Sequence, residues 1–165
     1  MHYLFGVVFM CLSITGVAQK VDTAGPFGDP TFRSPFKSIS LVRVAANGHK
    51  DSGTVDVVFT ATNQSTKVAS LVFSINPTLS KASDDMDSIY PINQLRFGST
   101  RRDPETNTSI ELRPDQALHC GAYLIHVPLT ARYIRKFVLF TSLKTDDGPP
   151  LEDNIILTDL PIIWK

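Results

Sequence analysis

The chain has 165 residues, with 16 basic and 16 acidic side chains that cancel at pH 7, and 42% of its residues are hydrophobic. That is enough apolar material for one domain with its own core. The zero balance argues against nucleic-acid or anionic-membrane partners, which require a net basic face.

In chain order, the first segment reads as an export signal. Residues Tyr3 to Val17 are mostly apolar and uncharged, and Gly16-Val17-Ala18 supplies the small residues that signal peptidase accepts. Cleavage is expected after Ala18, so residues 1–18 form the signal and no membrane span follows it. The location implied is secreted or periplasmic. Cys11 follows Met10 rather than a small residue, which excludes lipid attachment. Only Cys120 would remain, so no internal disulfide is possible and the core must hold the fold unaided.

Residues 19–35 are rich in Gly, Pro and Asp and read as a flexible leader. The folded domain is expected over 36–165. Phe36 to Ala46 predicts a strand ending at Asn47-Gly48, a pair that marks a tight turn, although the polar run to Gly53 suggests a longer hairpin loop. Thr54 to Asn63 is the clearest element. Val55, Val57, Phe59 and Ala61 fall on one face, and Thr54, Asp56, Thr60 and Thr62 on the other. A period of two with many β-branched residues predicts a half-buried central strand.

Further strands are expected at Val68–Asn76 and at Ile89–Phe97, interrupted at Pro91, while Ile110 and Leu112 make only a short apolar pair. Ala117–Val127, Tyr133–Leu143 and Asn154–Trp164 complete the set. The run Phe137 to Phe140 is apolar throughout, as in a strand covered on both faces. About seven strands without an amphipathic helix predict an all-β, antiparallel sandwich.

Several groups could carry chemistry. Asp84, Asp85 and Asp87 offer hard oxygen ligands suited to calcium, although the glycine and distal glutamate of an EF-hand loop are missing. Solvent-facing turn aspartates are the plainer reading. Asp146, Asp147, Glu152 and Asp153 repeat the pattern more weakly. His119, Cys120 and His126 are close in sequence, but odd spacing puts the histidines on opposite faces of a strand, so zinc is not expected. A buried small hydrophobe is the plainer role for Cys120. Arg101 and Arg102 could meet an anion or simply face solvent. Asn63-Gln64-Ser65 and Asn107-Thr108-Ser109 match the glycan acceptor pattern. No nucleophile elbow, phosphate loop or dinucleotide fingerprint is present, and no cofactor is implied.

The segment from Asp85 through Tyr90 to Gly98, with Leu112-x-Pro114, Val127-Pro128 and Leu160-Pro161-Ile162, resembles the immunoglobulin-like domains of uncharacterised exported bacterial proteins. The resemblance spans residues 36–164 and rests on turn signals. It implies an immunoglobulin-like sandwich and an export route, with no activity attached. The expected function is therefore that of an exported, non-enzymatic interaction or accessory module whose partner is another protein or a cell-surface component. A small secreted hydrolase whose site forms only in the fold is the alternative, as is a calcium-binding module.

Overall fold

The computed structural model describes residues 30–102, 107–144 and 149–165. The segment expected as a signal and most of the expected leader therefore lie outside the described residues. Twelve strands are present among those described: β1 (Thr31–Arg33), β2 (Ile39–His49), β3 (Thr54–Asn63), β4 (Ala69–Ser74), β5 (Lys81–Asp84), β6 (Ile89–Pro91), β7 (Gln94–Phe97), β8 (Thr100–Arg102), β9 (Thr108–Leu112), β10 (Ala117–Leu124), β11 (Tyr133–Lys144) and β12 (Leu151–Trp164). The all-β class is as expected. The finer expectation of about seven antiparallel strands is not met, because there are more strands and one pairing is parallel.

The twelve strands form one continuous sheet curled round a single core, in two layers that β12 joins. In the first, β12 and β11 pair antiparallel, and the free edge of β11 is shared. Residues 134–138 of β11 pair with β5, and residues 140–144 pair with β4. Each of these carries one more strand, β6 on β5 and β9 on β4. The second layer runs β2-β3-β10-β7-β8. Val55, Val57 and Phe59 from β3 meet Leu71, Phe73, Phe137 and Leu139 from the first layer in a single apolar cluster. The rings of Phe73 and Phe97 touch across the layers at 5.0 Å between centroids. Burial of such side chains, each contributing roughly 1.5–3 kcal/mol, is the main force holding the layers together.

β12 joins the layers. Its residues 151–161 pair with β11, then Ile162–Trp164 pair in parallel with Ala46–Gly48 of β2. The change of layer falls between Pro161 and Ile162, shortly after Asp159, whose φ is 56° while the register with β11 is kept. Pro161 sits in the same corner. It has no N–H to give, and the next amide, Ile162 N–H, donates to Arg132 O at 2.8 Å.

Several expectations are corrected. Asn47-Gly48 is not a turn but the end of β2, and the reversal falls at residues 50–53, where Gly53 takes φ 61°. Gly48 is required by packing: a Cβ there would lie 2.6 Å from Trp164 Cδ2 and 2.9 Å from Ile162 Cγ2. The expected single strand Ile89–Phe97 is two, β6 in the first layer and β7 in the second, with Pro91-Ile92-Asn93 crossing between them. β1 lies inside the expected leader and pairs with β12. Thr60, assigned to the polar face of β3, is buried. Phe137 and Leu139 are fully buried, whereas Val138 and Phe140 are only half covered.

Candidate functional site

The acidic turn is built into the fold rather than collected around a shared point. Asp84 ends β5 with its carboxylate fully buried. Oδ1 accepts the backbone N–H of Met86 and of Ser88, each at 2.9 Å, and Oδ2 accepts the Tyr90 hydroxyl at 2.6 Å. Burial, and then the bond to Asp84, push the Tyr90 phenol up to about 12. Asp85 turns the other way and accepts from Arg132, backbone N–H at 3.0 Å and Nε–H at 3.4 Å. Asp87, in the left-handed region at φ 61°, reaches outward to Arg135 Nη1 at 2.9 Å. The three carboxylates expected as a calcium set thus serve three different partners. Among the described residues, no group of three or more His, Cys, Asp or Glu side chains is placed to hold a metal. The spacing of a turn aspartate and a following tyrosine on the paired strands β5 and β6 was the available signal for the Asp84–Tyr90 bond.

The remaining groups also separate. Cys120 is buried beneath β10, and burial raises its thiol to about 12, which keeps it protonated and unreactive. His119 faces out from the opposite side of the strand, with Nδ1 3.0 Å from Thr60 Oγ1. His126 is exposed beyond the strand at φ 58°. Asp146 and Asp147 lie outside the described residues. Asp153 accepts from Arg33 Nη2 at 2.7 Å, and its carboxyl is held low by the Asn154 N–H and then by Arg33. The side chains of Arg101 and Arg102 lie outside the described residues.

Asn63 is a structural amide rather than a glycan acceptor in the folded chain. It is wholly buried; Nδ2 donates to Lys67 O at 2.7 Å and Leu112 O at 2.9 Å, and Oδ1 accepts from Ser65. Asn107 is exposed.

What sequence reasoning missed is a cleft made by an interruption. Between β4 and β5 the chain leaves the edge of β11 and returns, so the first layer splits into a β4–β9 arm and a β5–β6 arm. Ser80 stitches the break: its hydroxyl donates to Ser74 O at 2.5 Å and accepts the Phe140 N–H at 2.8 Å, standing in for a missing ladder bond. The intervening loop is fixed by Asn76, whose Oδ1 accepts from the Thr78 N–H and hydroxyl at 3.0 and 2.8 Å. Between the arms lies an open cleft of about 1130 Å³. It is lined by Val72, Ser74, Ile92, Phe140 and Ser142, by the exposed Leu79, and by polar Asn76, Asn93, Asn107 and Glu152. Leu79 is 43% exposed although the loop carrying it is pinned. The Asn93 side-chain oxygen is buried without a hydrogen-bond partner among the described residues.

No family model matches the chain, and no curated protein matches it. Solved structures do match, and one of them is the "Crystal Structure of the Periplasmic Chaperone SfaE". It shares 8% identity at a TM-score of 0.33, covering 77% of this chain and 56% of that chain. This chain therefore spans little more than half the length of that one.

Proposed function

We propose that the protein is an exported, non-enzymatic interaction module that holds an extended segment of another protein in the cleft between the two arms of its first layer. The signal read over residues 1–18 directs it to the periplasm or the exterior.

The observation that carries this reading is the composition and rigidity of the cleft. Apolar Val72, Phe140, Leu79 and Ile92 alternate with hydrogen-bonding Ser74, Ser142, Asn76, Asn93 and Asn107. An extended chain presents side chains alternately and carries amides that need partners, so a mixed lining of this kind suits it. The pinned Asn76 loop holds Leu79 outward before any partner arrives, which lowers the entropy lost on binding.

Selection of a displayed peptide library on the purified protein tests the proposal. Enriched peptides should carry alternating apolar residues, and their affinity should fall at least tenfold in Val72→Arg and in Leu79→Asp. Peptides indifferent to both substitutions would overturn it. So would turnover in a hydrolase screen that a single polar substitution abolishes.

A further inference from the structure

The outer face of the second layer carries a separate and more polar hollow. Strands β2, β3, β10 and β7 lie side by side there, in that order. A concavity of about 300 Å³ on this face is lined by Arg43, Val58, Thr60, Arg96, Gly98 and His119, with Cys120 and Phe59 at its base. Three basic side chains reach it from three different strands.

Each is brought there by a local device. Arg43 sits at φ 55° in the register break between Val42 and Ala45, a bulge that re-aims a side chain out of the strand's alternation. Arg96 lies opposite Gly121 in the β10–β7 pairing. The Arg96 side chain lies over Gly121, its Nε and Nη2 at ordinary contact distance (3.5 Å) from where a Cβ would stand. His119 faces Thr60 in the β10–β3 pairing, and the contact of its Nδ1 with the buried Thr60 hydroxyl orients the ring.

These guanidinium groups have no carboxylate against them. Arg33, Arg132 and Arg135 each contact an aspartate, whereas among the described residues neither Arg43 nor Arg96 does. The adjoining depression holds Asp56 beside Arg96, Gly121 and Tyr123, and there Asp56 contacts His49 at 3.4 Å.

We propose that this hollow binds a tetrahedral oxyanion, the phosphate or sulfate group of a small molecule. A planar carboxylate is satisfied by one guanidinium fork, whereas donors arriving from three strands match the several acceptor directions of a tetrahedral anion. The space exceeds what the bare anion fills, which leaves room for the body that carries it. The inference stands apart from the cleft of the first layer, on a different face and with different residues.

Isothermal titration of the purified protein with inorganic phosphate and with inorganic sulfate, against chloride at matched ionic strength, tests it. Saturable binding is expected, weakened at least tenfold in Arg96→Gln and in Arg43→Gln. Arg33→Gln, the same loss of charge at a paired position, should leave it unchanged. Unaltered melting temperatures in the two hollow variants would exclude loss of fold as the cause. Absence of saturable binding, or equal weakening in Arg33→Gln, would overturn the proposal. Co-flotation with phosphatidylglycerol vesicles without any response to free phosphate would also overturn it, and would mark the face as a lipid contact instead.

Discussion

Tyr90 and Asp84 show how a feature resembling a site can be a fastening. The phenol is neutral when folded and its proton is held more tightly than in the unfolded chain, up to about 12 against 10.0. A raised folded value means that the stabilisation is complete below pH 10 and is lost as pH rises from there through 12. The loss should amount to about 2–3 kcal/mol, at roughly 1.36 kcal/mol for each tenfold change in proton affinity. Cys120 titrates in an overlapping range, from 9.0 to about 12, so the measurement belongs in a Cys120→Ala background. Urea midpoints compared at pH 9 and pH 11.5 should fall steeply there, and Tyr90→Phe should flatten that fall. At neutral pH the same variant should cost about 1–3 kcal/mol, because the buried Asp84 oxygen loses its donor. An alkaline slope identical in Tyr90→Phe would show that the phenol is not responsible.

At the scale of single elements, β3 was legible because its alternation faces one core: Val55, Val57, Phe59 and Ala61 are all buried. Phe59→Ala should therefore cost about 3–5 kcal/mol. Thr60→Ala, although Thr60 is buried, removes one hydrogen bond to His119 and should cost about 1 kcal/mol. Equal losses at the two positions in chemical denaturation would contradict the assignment of faces. β1, β5 and β8 were not legible, because three or four residues are too few to show a period. β6 and β7 read as one strand because apolar residues continue through the crossing at Ile92, and periodicity does not report which layer a strand joins. Gly48 was misread for a different reason. Asn-Gly has a local preference for turns, but the constraint here comes from Trp164, far along the chain. Gly48→Ala should cost about 1–3 kcal/mol in the native background and clearly less in Trp164→Ala, as the ring it strikes is then gone. Additive losses in that double-mutant cycle would place the strain elsewhere.

Across the whole molecule, the two concavities lie on opposite layers and neither could be read from sequence. The cleft exists because β11 shares one edge between two strands, and the hollow because a bulge in β2 and the pairing of β7 with β10 bring two arginines to one face. Both are products of pairing between distant segments, which composition and spacing do not encode. The turn chemistry around Asp84 was visible as an acidic run, but its inward direction depends on Tyr90 arriving on the neighbouring strand.

The passage of β12 from one layer to the other also sets the order in which the chain can become a folded object. β12 is synthesised after every other strand described, yet β11, β1 and β2 all hydrogen-bond to it. Until it docks, β11 and β2 each present an open edge, and open edges are templates for pairing with other chains. Contacts between segments so far apart in sequence are slow to form. A chain ending at residue 150 should therefore remain unfolded or self-associate, as judged by light scattering and by the absence of a cooperative melt. If it melts cooperatively as a monomer, then β12 is only an addition to a domain that is already complete without it. On the expected outcome, the two layers have no separate existence. A partly made chain would stay exposed to proteases and chaperones until β12 emerged, and the strands that pair with it would then close in one step.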